Sequence, residues 1–249
     1  ASTFISKNAS EGNTLVLNGD APFISSEMIC GALKEHNKTG SSVTVISASI
    51  EDPTGYGRIV RDNNTNLLSA IVEQKDASPE ELKINEINSG AFWFRTNDLL
   101  SVLKKINNNN KQGEYYLTDA VKILISENKR ASAYKASSPY VALGANDCLQ
   151  LNGLNRIARQ NILKALMLSG VDIPCTDGVI IGPDVKIGSS VQILPGTVIK
   201  GKTIIGCNCT VGPDAVLDNC TVGDSVTLDS VRMSCTDVKP NAYIKPFSI

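Results

Sequence analysis

Apolar and polar positions alternate between two kinds of segment over the first 146 residues. A short apolar run at 13–17 leads into the turn residues 18–22, which is typical of a strand followed by a turn. Three further runs rich in β-branched and aromatic residues predict strands: 42–48, 68–73 and 90–94. Three segments with apolar positions near a period of 3.6 predict helices, the first capped by Ser25 or Ser26: 26–33, 97–106 and 118–125. This alternation predicts a mostly parallel α/β sheet.

The segment from 147 to 169 is helical in pattern throughout and contains no proline. Gly170 follows it as a C-terminal stop. We interpret it as a helix that connects two domains. The predicted boundaries are therefore 1–146 for the α/β domain, 147–170 for the linker helix and 171–249 for a second domain.

A period of six begins after Pro174. Seven aliphatic residues fall six positions apart without a miss: Ile181, Ile187, Ile193, Ile199, Ile205, Val211 and Leu217. This period is the hexapeptide signature of a parallel β-helix, in which stacked coils align inward side chains into ladders. The repeat slips by one residue near Cys220 and resumes at Val222. A β-sandwich with coincidental spacing is the alternative, but its irregular hairpins do not produce a fixed step.

Composition narrows the functional classes. Of 249 residues, 42% are hydrophobic and 20% charged, as in ordinary globular proteins. The formal net charge of -1 gives no field that favours nucleic acid, and no run of 18 apolar residues predicts a membrane span. The first ten residues lack the features of a signal peptide, and the chain lacks an initiator Met, so we expect a removed segment or a fragment.

Cysteine and histidine usage argues against a metal site of the zinc type. The seven cysteines are an odd, scattered set, which predicts reduced thiols in a cytoplasmic protein. Cys207 and Cys209 lack the two-residue gap of a zinc or redox pair. The single histidine, His36, lies among Lys and Glu residues, and we expect it to be an exposed helix residue.

Candidate chemistry begins at the end of the first predicted strand. Asn18, Gly19 and Asp20 place a carboxylate at the sheet edge where ligands of α/β proteins bind, and such a carboxylate can hold Mg²⁺. An ordinary Gly-Asp turn is the alternative. Gly57 lies in a Gly-flanked loop that either lets the backbone approach a ligand or forms a plain turn.

Other polar residues lie next to the ends of predicted strands and helices. Glu73 directly follows a predicted strand, and Asn88, just before the next one, can hydrogen-bond a sugar hydroxyl or an amide. Thr118, two residues after Tyr116, either contributes to a binding site or caps the helix predicted over 118–125. Asn146 is either a ligand or the cap of the linker helix.

The order of these motifs resembles the bacterial bifunctional N-acetylglucosamine-1-phosphate uridyltransferase and glucosamine-1-phosphate N-acetyltransferase family. The resemblance runs from about Gly12 to Tyr243 and rests on six stretches and the switch into hexapeptides: 15–22, 52–59, 71–77, 86–90, 112–119 and 144–146. It implies a partial Rossmann-like nucleotidyltransferase domain, a linker helix and a partial left-handed parallel β-helix. It also implies a homotrimer that makes a precursor of peptidoglycan and lipopolysaccharide.

The resemblance also assigns roles to residues. It implies that Asp20 and Asn146 hold Mg²⁺ while N-acetylglucosamine 1-phosphate attacks UTP, which gives UDP-N-acetylglucosamine and pyrophosphate. It implies that Gly57, Glu73 and Asn88 contact the N-acetylglucosamine moiety and the ribose, with Tyr116 and Thr118 lining the same pocket. Asn18 stands where the family commonly has Tyr.

Two family features have no counterpart here. The Gly-rich loop and Lys that grip the UTP phosphates are absent, and so are the His, Lys and Arg of the acetyl-CoA-dependent acetyltransferase site. We therefore expect this chain alone to be inactive in both reactions. The alternatives are another sugar-1-phosphate nucleotidyltransferase, a non-catalytic sugar-nucleotide-binding subunit and a purely structural β-helix protein, the last of which leaves the first 146 residues unexplained.

Overall fold

The chain divides into two compact units, Ala1–Cys148 and Leu149–Ile249. A computed structural model describes residues 2–8, 11–108, 113 and 115–246. The first unit contains α1 (Ser2–Asn8), β1 (Asn13–Val16), α2 (Ser26–Thr39), β2 (Val43–Ser49), β3 (Arg58–Arg61), β4 (Leu68–Val72), β5 (Glu86–Arg95), α3 (Thr96–Val102), α4 (Leu117–Ser126) and β6 (Ala131–Lys135), with 3-10 helices at Glu81–Lys83 and Pro139–Ala142.

The sheet of the first unit has the order β4-β3-β5-β2-β6, and β1 also pairs with β5. The prediction of a mostly parallel sheet was wrong. Among the described strands of this sheet, only β2 and β6 pair in parallel, and the other four pairings are antiparallel. The physical reason is that β3 and β4 form a hairpin and β5 runs back between β2 and β3. As a result, the first residues of β5 lie beside the carboxyl end of β2, and the carboxyl end of β1 lies beside Phe92 of β5.

Several predicted boundaries also change. β5 begins at Glu86 rather than at residue 90, so Asn88 lies within a strand and not before one. The helix predicted over 97–106 ends at Val102. The strands β3 and β6 were not predicted at all. β3 begins directly after Gly57, in the stretch that was interpreted as a Gly-flanked loop.

β5 contains a bulge opposite Ile46. Val45 pairs with Phe92 but Ser47 pairs with Asn88, so three residues of β5 face one residue of β2. The Ser89 hydroxyl donates to the Ile46 carbonyl oxygen at 2.7 Å and so satisfies a buried acceptor that the regular ladder no longer reaches. Within the same bulge, the Gly90 N–H donates to Asn88 Oδ1 at 2.8 Å.

Helices cover both faces of this sheet. One core cluster joins the sheet to α3 and α4 through large side chains, including Phe92, Phe94, Leu99, Val121 and Leu124. The cluster on the opposite face joins the sheet to α2 and contains smaller side chains, including Ala32, Ile46, Ala91 and Val141. The first unit is therefore an α/β domain with its sheet buried between helices, as predicted.

Helix α2 is capped at both ends. Ser25 accepts a hydrogen bond from the Met28 N–H at 3.3 Å as the N-cap, and Gly40 ends the helix with a φ of 60° in the left-handed region. Near the C-terminal end, His36 is only 2% exposed, so the prediction of an exposed histidine was wrong. The charged neighbours of His36 in sequence face solvent, whereas the imidazole itself faces β2 and lies 2.8 Å from Thr44 Oγ1.

The second unit begins with α5 (Cys148–Leu168), as the helical pattern of residues 147–169 predicted. Its twelve short strands are β7 (Ile180–Ile181), β8 (Lys186–Ile187), β9 (Gln192–Ile193), β10 (Val198–Lys200), β11 (Ile204–Ile205), β12 (Thr210–Val211), β13 (Val216–Asp218), β14 (Thr221–Val222), β15 (Thr227–Leu228), β16 (Arg232–Ser234), β17 (Asp237–Val238) and β18 (Tyr243–Ile244). They form three parallel four-stranded sheets. Leu163 of α5 packs into the same core.

The period of six corresponds to one strand and one corner. Six of the seven hexad residues are buried, and Ile187 is half-buried against the same core. The second strand of successive coils begins at residues 186, 204, 221 and 237, so each spacing after the first is one residue shorter than the spacing before it. The predicted slip near Cys220 is thus confirmed. The parallel pairing continues through it, with Ile205 opposite Val222.

None of the helices in the described part of the chain has both the length and the hydrophobicity that a bilayer crossing requires.

The buried histidine predicts a dependence of stability on pH. Burial lowers the pKa of His36 from its usual 6.5, and the charge of Arg95 lowers it further. Because the folded pKa lies below the unfolded one, this stability is present above about pH 6.5 and is lost as the pH falls through the folded value. We expect His36→Gln to remove this dependence.

The measurement is urea unfolding at about pH 7.5 and about pH 5.5, in the window where His is the side chain that titrates. Trp93 is the one tryptophan in the sequence and its indole N–H donates to the Ile29 carbonyl of α2, so its fluorescence reports this unit. An equal loss of stability on acidification in wild type and His36→Gln would contradict the prediction.

Adjacent isoleucines of β11 provide a matched test of the ladder. Ile205 is 1% exposed and Ile204 is 46% exposed. We expect Ile205→Ala to lower the free energy of unfolding by roughly 2–5 kcal/mol, because it leaves a cavity in the coil. Ile204→Ala should cost less than about 1 kcal/mol. Far-UV circular dichroism of the two variants in urea checks this, and equal costs would contradict the inward assignment.

Candidate functional site

A cleft of about 600 Å³ lies beside the sheet of the first unit. It brings together residues from the end of β1, the end of β4, the start of β5 and the start of α4. Five residues predicted from sequence line it: Asn18, Glu73, Asn88, Tyr116 and Thr118. The remaining lining residues are Gly55, Gln74, Lys75, Asp76, Gly90, Phe92 and Leu117.

Glu73 supplies a carboxylate to this cleft from the residue directly after β4. Thr118, in the first turn of α4, donates its hydroxyl hydrogen bond to Glu73 Oε1 at 3.3 Å. Gly57 lies beneath the same carboxylate, because a Cβ added there would be 3.3 Å from both carboxylate oxygens. The three predicted residues Gly57, Glu73 and Thr118 are therefore neighbours.

Asn88 is held by the backbone on two sides. Its N–H donates to the Gly57 carbonyl at 2.9 Å, which joins the bulged strand to the Gly57 loop. Its side-chain Oδ1 accepts from the Gly90 N–H. Because Oδ1 is engaged in the bulge, the group that Asn88 can offer a ligand is the Nδ2 donor.

Asn18 lies against Gly90. Gly90 has a φ of 80°, and a Cβ at this position would collide with the Asn18 side-chain amide. The close approach of these two residues therefore requires glycine at position 90. It brings the loop after β1 into contact with the bulge in β5.

Asp20 lies close to Gly144, in the segment that precedes α5. A Cβ added at Gly144 would lie 3.1 Å from Asp20 Oδ2, so this glycine lets the 144–146 segment approach the carboxylate. Asp20 and Asn146 are both exposed, and neither lines the cleft, nor does Gly19. A carboxylate and an amide each supply an oxygen ligand of the kind that Mg²⁺ prefers, so the chemistry of these two side chains fits the metal.

Gln74 also lines the cleft, but its role could not be predicted from the sequence. Its Oε1 accepts from the Gly55 N–H at 3.3 Å and from Arg58 Nη2 at 2.6 Å. It therefore fastens the Gly55 loop to the end of β4. The only sequence signal was its place in the motif after Glu73. Gln112 and Glu114, which belong to the predicted motif that continues to residue 119, lie outside the described residues.

An ion pair stabilises the start of β5. Arg61 donates to both carboxylate oxygens of Glu86, at 2.6 and 2.9 Å. Burial alone would raise the pKa of Glu86, but the hydrogen bonds from Arg61 and Ser47 outweigh it, and the pKa is lowered. The bidentate pair fixes the residue two positions before Asn88.

The described residues contain no group of three or more His, Cys, Asp or Glu side chains that could hold a metal ion. A site built on Asp20 and Asn146 does not need one, since protein-bound Mg²⁺ commonly uses one or two carboxylates together with substrate phosphates and water.

Curated relatives match almost the whole chain. The bifunctional protein GlmU of Thermoanaerobacter pseudethanolicus is 42% identical over 239 residues, which cover 96% of this chain and 52% of the relative. The GlmU of Acetivibrio thermocellus is 43% identical over 245 residues, which cover 96% of this chain and 53% of the relative. The chain thus spans about half the length of the curated relatives it matches. The resemblance inferred from the motifs is confirmed by these relatives.

Among solved structures, a CMP:2-keto-3-deoxy-manno-octonic acid synthetase in complex with CTP aligns with 64% of this chain and 66% of its own at 12% identity, with a TM-score of 0.48. That likeness is too distant to bear on function. The profile of the nucleotidyl transferase family matches residues 1–142, more than half of the sequence and nearly all of the unit that contains the cleft. The chain belongs to the nucleotidyl transferase family.

Proposed function

We propose that the cleft of the first unit serves the transfer of a uridylyl group from UTP to N-acetylglucosamine 1-phosphate, which yields UDP-N-acetylglucosamine and pyrophosphate. The observation that carries the proposal is the convergence of Glu73, Asn88 and Thr118 around one cleft. Family membership supports nucleotidyl transfer in general, and the motif order supports this sugar in particular.

The polar groups of the cleft match the chemistry of an amino sugar. Glu73 is an acceptor for sugar or ribose hydroxyls, and Asn88 Nδ2 is a donor for a carbonyl oxygen such as that of an N-acetyl group. Phe92 adds an apolar surface to the lining. A ligand that leaves these half-buried donors and acceptors unpaired binds less well, which gives selectivity among sugar phosphates.

In this proposal Asp20 and Asn146 hold Mg²⁺, which when bound neutralises phosphate charge. The protein's own contribution is to fix the sugar phosphate so that one of its phosphate oxygens faces the α-phosphorus of UTP. That oxygen forms the new P–O bond as the bond to pyrophosphate breaks. Positioning and electrostatic stabilisation suffice for this reaction, without a covalent enzyme intermediate.

The parallel β-helix of the second unit favours a further activity for the whole protein. We extend the proposal to acetyl-CoA-dependent acetylation of glucosamine 1-phosphate by a homotrimer. The word bifunctional in the relatives' name supports two activities. The acetylation product, N-acetylglucosamine 1-phosphate, is the substrate that we propose for the cleft.

Replacing Glu73 tests the sugar site. We expect Glu73→Gln to weaken binding of UDP-N-acetylglucosamine by roughly tenfold or more, because a hydrogen bond to a charged group contributes about 1.5–3 kcal/mol. Isothermal titration of the chain measures the change. Asp184→Asn, at an exposed residue of the second unit, is the control and should bind as wild type does.

The same titration separates the alternatives. UDP-glucose should bind more weakly than UDP-N-acetylglucosamine, because it leaves the Asn88 donor unpaired. Tighter binding of an ADP-, GDP- or dTDP-sugar would favour another nucleotidyltransferase. A chain that binds nucleotide sugar with no response to Glu73→Gln would place the sugar elsewhere and sink this assignment.

Metal removal tests the proposed Mg²⁺ ligands. In the wild type, the affinity for UDP-N-acetylglucosamine should rise when Mg²⁺ replaces EDTA, because the ion bridges protein and phosphate oxygens. We expect Asp20→Asn to abolish this rise and Glu27→Gln, an exposed carboxylate of α2, to preserve it. The proposal fails if Asp20→Asn responds to Mg²⁺ as the wild type does. A non-catalytic subunit would show no such response in either protein.

A further inference from the structure

Arg58 is a buried charge at the wall of the cleft. It begins β3, one residue after Gly57, and is only 2% exposed. Its guanidinium donates to two neutral oxygens, the carbonyl of Tyr56 and Oε1 of Gln74. Its Nε has no hydrogen-bond partner within the described part of the chain. A buried guanidinium with only neutral partners is an unusual arrangement.

No carboxylate of the described residues forms an ion pair with Arg58. The pKa of Asp52 is lowered mainly by hydrogen bonds from Thr54 and to a smaller extent by the charge of Arg58. Asp52 is fully exposed, so water screens that interaction. The positive charge of Arg58 therefore persists behind the cleft lining.

Gln74 stands between this charge and the cleft. It lines the cleft, and its one carbonyl oxygen accepts from both Arg58 and the Gly55 N–H. A glutamate has nearly the same shape and would accept the same two hydrogen bonds. It would also pair with Arg58 and remove most of the cost of burying a charge. The neutral amide is thus the less stabilising choice at this position.

We propose that Gln74 is a positioning and specificity-determining residue: it fastens the Gly55 loop at the cleft while its neutrality leaves the Arg58 charge to attract the anionic, phosphate-bearing part of the ligand. This inference rests on the proposed function, since it assigns the source of selectivity for charged over neutral sugars at that site. Charges act over several ångströms through the poorly polarisable protein interior, so Arg58 need not touch the ligand.

The test compares Gln74→Glu with Gln74→Leu in two ligands, UDP-N-acetylglucosamine, which is anionic, and N-acetylglucosamine, which is neutral. For Gln74→Glu we expect an unchanged or higher melting temperature, since the two hydrogen bonds remain and an ion pair forms. Its affinity for UDP-N-acetylglucosamine should fall roughly tenfold at low salt, by the Coulomb energy of one added charge near the site. The difference should shrink at high salt, and the affinity for N-acetylglucosamine should not change.

Gln74→Leu separates the positioning role from the charge role. It removes the acceptor of the Gly55 N–H, so we expect faster hydrogen exchange at the Gly55 amide and weaker binding of both ligands. In Gln74→Glu the Gly55 amide should exchange as slowly as in the wild type. Isothermal titration for the nucleotide sugar and ligand-observed NMR for the neutral sugar provide the affinities.

Three other outcomes would each contradict a different part of the proposal. Equal binding of UDP-N-acetylglucosamine by the wild type and Gln74→Glu overturns the charge role while the proposed function stands. Equal weakening of both ligands in Gln74→Glu reduces Gln74 to a structural residue. A wild-type chain that binds neither ligand overturns the proposed function, and this inference with it.

Discussion

The bulge in β5 is the constraint on which the cleft depends. β5 has to keep its hydrogen bonds with β2 on one side while its first residues form part of a ligand cleft beside the sheet. Three residues facing one would leave the Ile46 carbonyl without a donor, and burial makes such a loss costly. Ser89 supplies the donor and Asn88 accepts from Gly90, so the bulge is satisfied by its own side chains. The Asn-Ser-Gly sequence is thus explained by backbone hydrogen bonding before any ligand is considered.

In the second unit, backbone hydrogen-bonding groups are satisfied by an arrangement that repeats from coil to coil. Each coil turns at corner residues in the left-handed region, and these stack upon one another along the solenoid. They are mostly Gly, Asn, Ser and Asp, which tolerate that conformation: Gly178, Ser190, Gly196, Gly201, Asn208, Asp214, Asn219, Ser225, Ser230, Cys235 and Asn241. Corner N–H groups donate to the preceding coil, as Asn208 does to Ser189 and Ser225 to Cys207. Residues lost from a coil are lost between strands, so the inward ladder keeps its register.

The second unit is repetitive and the first is not, and this difference explains which features could be predicted from the sequence. A period of six recurs in every coil, so the β-helix and its slip near Cys220 were readable from the hexads alone. In the first unit, periodicity indicates the type of an element but not the direction in which a strand runs, and the mostly parallel sheet was inferred wrongly for that reason. His36 was misjudged because its charged neighbours in sequence face solvent while the imidazole faces Thr44. The cleft residues came from a family resemblance, and Gln74 emerged only once its partners were placed.

Three departures from ordinary local preferences lie around the cleft. Gly90 adopts a positive φ inside a strand, three residues oppose one in the sheet, and Arg58 is buried with its charge unpaired among the described residues. Each costs stability, and each lies at or next to a residue of the cleft lining. The cost of the bulge is offset within the protein, by the hydrogen bonds of Ser89 and Asn88. The charge of Arg58 has no ion-pair partner among the described residues, and an anionic ligand of the kind proposed for the cleft would offset its burial.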